Sequence, residues 1–307
     1  MEMVVQGVST RKVTKITEEL CGVEVSKSTV SALCGRLDPL VKDWNERPLG
    51  ETAYPFLLVD ALVLKIREDE RVRARSALIV TGVAASGHRE ILGLLLGDSE
   101  SEASWGALFH SLKQRGLHGV DLVVSDDHSG LVAAARRHFQ GCTWQRCQAH
   151  FSRNVLGATP KALQKDLKTH LTALFTAPDL PTARALLRQM HAQFADRAPT
   201  ALEILDTGFD DATAVLALPV PYRVRLRTTN SQERKSEEIR RRERVIRIFP
   251  NRAAAVRLLG ALLMEWDEQW ATGKRYLDMD LYLQWKQHHD HPSTPSPEEK
   301  EVPMQVA

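Results

Sequence analysis

Three acidic residues stand where a carboxylate has work to explain. Asp60 interrupts the apolar run Leu57–Val63 (LLVDALV). A carboxylate taken out of water is costly unless it is paired, hydrogen-bonded or bound to a cation, and a satisfied buried Asp is the plainer alternative. Asp126 closes a second apolar run, Leu122–Ser125 (LVVS), with Asp127 and His128 crowding the same spot. It could serve a cation or cap the helix expected from Gly130 and Leu131. Glu233 lies in the charged stretch TTNSQERKSEEIRRRER, with Glu237 one helical turn further on. Taken alone, that stretch reads as a solvated helix.

Together these residues imply a definite chemistry. If the strands ending near Asp60 and Asp126 are neighbours, their like charges need a cation or a proton between them. Hard oxygen ligands select Mg²⁺ or Mn²⁺. Two such ions, about 3.5–4 Å apart, activate an attacking oxygen and stabilise the leaving oxygen of a phosphodiester. Asp60 would bridge both ions, while Asp126 and Glu233 would each complete one site. Residues 220–247 hold ten Lys or Arg and four Glu, a local surplus of six positive charges in a chain of net charge +2. Such a patch fits a polyanion, and Arg240, Arg241 and Arg242 would hold its phosphates.

The elements that must position these groups are legible from periodicity. Tyr54–Ile66, Arg75–Val83 and Glu90–Leu96 read as strands, with Gly82, Gly87 and the charged run Arg67–Arg75 as turns. A helix over Ser101–Arg115, a strand at Leu122–Ser125, a helix over Leu131–Phe139 and a strand at Thr143–Cys147 follow. That order matches an RNase H-like α/β core. Residues 150–219 turn helical, with Leu163, Leu167, Leu171 and Leu174 in one stripe, and read as an α-helical insertion. Thr229–Arg247 and Ala253–Gln269 read as further helices. Upstream, residues 10–44 read as two helices around Gly22, the second capped by Ser26 and continuing to Val41. This is a helix-turn-helix-like pattern that would present Lys27, Ser28 and Thr29 to a DNA groove, although a plain helical hairpin fits as well. The expected organisation is a DNA-binding segment over 1–50, a first part of the core over 51–149, the insertion over 150–219, completion of the core over 220–287, and a proline-rich disordered tail over 288–307.

Six stretches in order resemble the mutator-type family of insertion-sequence transposases. They are GVSTRKV through SKSTVS (Gly7–Ser31), YPFLLVDAL (from Tyr54), VSDDHSGL (Val124–Leu131), WQRCQAHFSRNVL (Trp144–Leu156), TTNSQERKSEEIRRR (from Thr228) and RYLDM (Arg275–Met279). The resemblance implies a DDE transposase that cleaves and rejoins double-stranded DNA as a homo-oligomer on its element ends. It assigns Asp60, Asp126 and Glu233 as the metal-binding catalytic triad. It also places a Cys-x-x-His on Cys147 and His150. Two ligands are too few for a structural zinc site, so the pair is expected to support the active site by hydrogen bonding, although an inert buried Cys and a surface His fit as well. Two departures stand out. Relatives carry a further N-terminal segment before the stretch matched from Gly7. Gln232, Lys235 and Ser236 replace an apolar residue, an apolar residue and Asn. The alternative reading is therefore a shortened, catalytically impaired DNA-binding remnant that competes with full-length transposase.

Bulk properties narrow the remaining classes. A hydrophobic share of 43% with 26% charged residues suits a folded globular chain. No apolar run approaches the roughly 18 residues of a membrane span, and residues 1–7 lack signal-peptide character. Four cysteines in 307 residues do not make a disulfide scaffold. The expectation is a cytoplasmic, nucleoid-associated protein with reduced thiols.

Overall fold

The computed structural model describes residues 2–22 and 25–290; the side chains of residues 10, 21, 230–235, 289 and 290 fall outside this description. Five strands form one mixed sheet in the order β3-β2-β1-β4-β5: β1 (Phe56–Glu68), β2 (Arg71–Val83), β3 (Arg89–Gly97), β4 (Leu122–Ser125) and β5 (Thr143–Arg146). The first three are an antiparallel meander, while β4 and β5 join in parallel. Helices α5 (Glu102–Gln114) and α6 (Ser129–His138) are the crossovers that parallel strands require.

Burial explains why β1 carries both an apolar run and a charged end. Phe56–Val59 are covered on both faces. Beyond Asp60 the strand alternates: Leu62, Leu64 and Ile66 are buried, while Val63, Lys65 and Arg67 are exposed. The charged run expected to be a long turn is instead strand on both sides of a two-residue loop. Asp69 and Glu70 both take positive φ (47° and 61°), and Glu68 pairs with Arg71, the geometry of a tight hairpin. Alternation, not a stretch of polar residues, sets the strand ends here. Gly82, expected at a turn, lies inside β2.

One face of the sheet packs on α5 and α6 through Trp105, Phe109, Leu112 and Leu131. The other face is covered by α12 (Asn230–Ile246) through Ile239 and by α13 (Arg252–Ala271) through Leu258, Leu259 and Leu262. Helices α7 (Gln148–Gly157), α8 (Gln164–Phe175), α9 (Leu180–Phe194) and α10 (Pro199–Thr213) close around a separate core containing Phe151, Leu171, Met190 and Phe194. This assembly is continuous with the sheet at Gly208 on α10. A Cβ there would sit 2.6 Å from Phe151 and 2.7 Å from Arg146, so only glycine lets α10 approach β5 this closely. Helix α11 (Val220–Leu226) and α14 (Asp280–Asp290) pack beneath the start of β1 through Tyr222 and Tyr282.

The N-terminal segment holds α1 (Glu2–Val5), α2 (Thr10–Cys21), α3 (Lys27–Gly35) and α4 (Leu37–Asn45). The second helix, expected to run on to Val41, breaks at Arg36, and α4 turns to pack on α13. Helix α14 carries regular structure to Asp290, past the expected start of the tail at 288; residues 291–307 lie outside the described residues. Among the described residues no helix is long and apolar enough to cross a membrane, and Cys34, Cys142 and Cys147 are free thiols.

Candidate active site

Register brings the two aspartates together. β1 and β4 pair in parallel up to Leu58 and Val124. Asp60 and Asp126 each lie two residues past that pair, Asp60 still within β1 and Asp126 just beyond the end of β4. Neighbouring strands of a sheet run about 4.8 Å apart, so two negative groups are held close by backbone hydrogen bonds. Burial pushes the Asp60 carboxyl above its ordinary range, and the Asp126 charge adds to the rise. The Ser236 hydroxyl, the Ala61 backbone and His150 oppose it without cancelling it. Two carboxylates placed this close are eased by a proton or a cation between them.

Asp127 does not share this position. Its carboxylate meets Arg146 at 2.9 Å, and Arg146 is itself buried, with its guanidinium 4.4 Å over the Phe151 ring. Adjacent in sequence, Asp126 and Asp127 thus part company, Asp127 being tied to Arg146 at the end of β5.

Helix α12 brings the third acidic position. Its inward stripe runs Ser236, Ile239, Glu243 and Ile246, and the Ser236 Oγ donates to the Asp60 Oδ2 at 3.0 Å. Glu233 is the position one turn before Ser236; its side chain lies outside the described residues. Ser236, noted in the sequence as a departure from Asn, is here a direct contact of Asp60. An amide could donate the same bond, which makes the exchange chemically modest. Among the described residues, no three His, Cys, Asp or Glu side chains converge tightly enough to hold a metal ion. Asp60 and Asp126 both offer hard oxygen donors here.

Cys147 and His150 join this arrangement from the β5–α7 junction. The buried Cys147 Sγ accepts from both the backbone N–H and the hydroxyl of Thr229 at 3.3 Å. The Gln148 N–H donates to the Arg227 carbonyl at 2.9 Å, and the Cys147 N–H to the Ser125 carbonyl at 2.7 Å. The end of β4, the start of α7 and the start of α12 are thereby tied in series. Burial raises the Cys147 thiol, but hydrogen bonds with His150 and Thr229 outweigh it and hold the group below its ordinary value. The bond with Cys147 in turn lifts His150 against the effect of its own burial. Cys147 also reaches Thr229 at the start of α12, a contact that the sequence pattern of the charged helix does not show.

The expected phosphate contacts divide. Arg240 and Arg241 are exposed, though Arg241 pairs with Glu238 at 2.8 Å. Arg242 is buried. It pairs with Glu238 at 2.7 Å and also donates to the Val5 carbonyl. Grouping it with its neighbours as a phosphate contact misread the helix: at 3.6 residues per turn, three consecutive positions cannot share a face. Lys27, Ser28 and Thr29 are exposed at the start of α3. The Ser26 Oγ caps that helix from the Thr29 N–H at 3.1 Å and contacts the Ser28 and Thr29 hydroxyls. A cavity of about 560 Å³ lies away from the aspartates, between the N-terminal helices and α12–α13, with Arg11, Lys27 and Arg242 on its wall.

Comparison with known proteins gives this arrangement its context. The family model for transposases of the Mutator family matches residues 1–273. The chain belongs to the Mutator family of transposases. It is 43% identical over 283 residues to the transposase for insertion sequence element IS256 in transposon Tn4001 of Staphylococcus aureus, covering 91% of this chain and 72% of that protein. It is 42% identical over 275 residues to the transposase for insertion sequence element IS1081 of Mycobacterium tuberculosis, covering 90% and 66%. A similar match, 42% over 279 residues, covering 91% and 70%, is to the transposase for insertion sequence element ISRM5 of Rhizobium meliloti. The alternative reading of an impaired remnant draws no support from these matches.

Proposed function

We propose that this member of the Mutator family is a DDE-type DNA transposase whose catalytic centre is Asp60, Asp126 and Glu233. The observation that carries the reading is that Asp60 on β1 and Asp126 just past β4 each lie two residues beyond the last parallel pair of these neighbouring strands, with Asp60 held above its ordinary pKa range by burial and by its neighbour. Glu233, one turn before the residue that bonds Asp60, is the third acid. The donor set is hard oxygen throughout, which suits Mg²⁺ or Mn²⁺ better than softer ions. When bound, two such ions supply activation of the attacking oxygen and stabilisation of the departing 3′ oxygen.

The chain's own residues do the positioning. Ser236 orients Asp60, the β1–β4 register fixes Asp126, and Arg146 holds Asp127 out of the way. The strand and helix order around them supports an RNase H-like core, with α7–α10 as its insertion. The α2–α3 pair supports a helix-turn-helix-like contact with double-stranded DNA through Lys27, Ser28 and Thr29, and Arg240 and Arg241 add phosphate contacts. Two element ends must be handled together in strand transfer, so a homo-oligomer on chromosomal DNA in the cytoplasm is the working assembly.

Cleavage of a labelled element end tests this. Mg²⁺ or Mn²⁺ should support cutting and EDTA should stop it. Asp60→Asn or Asp126→Asn should abolish it while DNA binding persists. Undiminished cutting by Asp60→Asn would sink the assignment.

A further inference from the structure

A fourth carboxylate lies near the same centre, on the loop before α5. Glu100 precedes α5, and its Oε1 accepts from the Trp105 indole N–H at 3.2 Å. The same oxygen stands 3.7 Å from the His128 Nδ1, an ion-pair rather than hydrogen-bond separation. Trp105 is fully buried in the core beneath the sheet, so the indole is a rigid donor. The segment carrying Glu100 also abuts the one carrying Asp126. A Cβ on Gly130 would stand 2.5 Å from the Glu102 nitrogen and 2.8 Å from the Ser101 carbonyl carbon, so the start of α6 can approach this closely only with glycine there. Two loops are thus pressed together, each bringing an acid to one place.

Electrostatics agrees with that geometry. Burial raises the Glu100 carboxyl first. His128 and Trp105 oppose the rise, and the charges of Asp126 and Asp60 both add to it. Glu100 therefore feels both aspartates, although neither is its hydrogen-bond partner. A glutamate placed only to favour the N-terminus of α5 would need neither the indole bond nor this proximity, because Ser101 and Ser104 already complete the capping box there.

We propose that Glu100 is a positioning residue of the carboxylate centre: it holds His128 beside Asp126 and adds a fixed negative charge that favours divalent-metal loading on Asp60 and Asp126. The proposal rests on the metal reading given above. Glu100 lies behind the two aspartates as an outer partner. Changing such partners commonly weakens metal binding by about 10–100-fold.

The test is Mn²⁺ binding to the full chain without DNA, followed by electron paramagnetic resonance of the free ion, beside thermal melting and DNA affinity in EDTA. E100Q should weaken Mn²⁺ uptake by about tenfold, with Tm and DNA affinity close to those of the parent, and E100D should fall between E100Q and the parent. If E100Q does not fold, E100D must still bind Mn²⁺ more weakly than the parent. Unchanged uptake in the folded Glu100 variants, with uptake lost in D60N, overturns the proposal and leaves the metal reading standing. A lowered Tm with unchanged Mn²⁺ affinity assigns Glu100 to structure alone and also overturns it. Unchanged uptake in D60N itself overturns the metal reading.

Discussion

The two aspartates and helix α12 are held by different means. Asp60 lies within β1 and Asp126 just past the end of β4, beside strands that are almost wholly apolar and joined by a backbone ladder as far as Leu58 and Val124. Helix α12 is polar along most of its length, and its inward stripe contains one fully buried apolar residue, Ile239. At its far end two backbone bonds, Arg67 N–H to the Phe249 carbonyl and Phe249 N–H to the Lys65 carbonyl, tie the following turn to β1. At its start it relies on Thr229 and Cys147, and in its first turns on Ser236 and Asp60. Two acids are thus fixed by the sheet, while the position of the third depends on a few polar contacts. Changes near α12 should tune activity, whereas changes in the sheet should abolish it or unfold the chain.

The strongest way to break this comparison is at the adjacent aspartates. Asp126→Asn should cut cleavage by about 10³-fold or more through loss of a metal-binding carboxylate. Asp127→Asn should cost less than about tenfold, because its carboxylate is committed to Arg146 in a partly exposed pair. The reverse ranking in a cleavage assay would show that the sheet presents the wrong one of the two. A smaller effect is expected at the start of α12. Thr229→Val removes a hydroxyl donor to Cys147 but keeps the shape, and should lower cleavage by about 10–100-fold with little change in Tm. Thr229→Ser should restore most of it. Equal activity in the two variants would mean the thiol contact does not position α12.

The arginine cluster sharpens the same point. Arg242→Ala removes a buried partner of Glu238 and Val5 and should lower Tm by about 2–4 °C, the equivalent of roughly 1 kcal/mol in a chain of this length. It should leave the salt dependence of DNA binding unchanged. Arg240→Ala and Arg241→Ala should instead flatten that dependence by about 0.9 log units per lost phosphate contact and leave Tm alone. A flattened slope in Arg242→Ala would return that side chain to the surface.

The smallest effect is a gain. The Asp60 carboxyl is raised in the fold, so its ionised form is disfavoured there relative to the unfolded chain. Stability from this group is fully present below the unfolded value of about 3.9 and is lost as pH rises through the higher folded value. Metal-free Asp60→Asn should therefore melt about 2 °C higher than the parent at neutral pH, and the difference should vanish in acid. Melting curves across pH that show no such convergence would mean that Ser236 and His150 fully satisfy Asp60.

The same contrast governs what the sequence made legible. Strands β1 to β5 and helices α5 and α6 were readable because apolar periodicity is dense there, and the two aspartates stood out against it. The β1–β2 hairpin ran longer than expected because polar residues on an exposed strand face resemble a turn until the alternation of Leu62, Leu64 and Ile66 is weighed. The inward side of α12 was unreadable, since Arg242 and Ser236 owe their orientation to partners at Val5 and Asp60 that lie far away in sequence. Glu100 escaped notice because an acid before a helix N-terminus is commonplace. Only the packing of Gly130 against its loop brings it toward Asp126. Thr229 was legible as the start of the charged helix but not as a partner of Cys147, which requires the end of β5 to meet the start of α12.

The place where a divalent ion binds is the most direct test of the carboxylate centre. Crystals of the full chain soaked in Mn²⁺ and measured near the manganese absorption edge would locate the ion by its anomalous signal. A peak between the Asp60 and Asp126 carboxylates, at about 2.0–2.6 Å from their oxygens, with Glu233 completing its shell, is the expected result. An ion bound away from Asp60 and Asp126, or no ion at concentrations that support DNA cleavage, would contradict it.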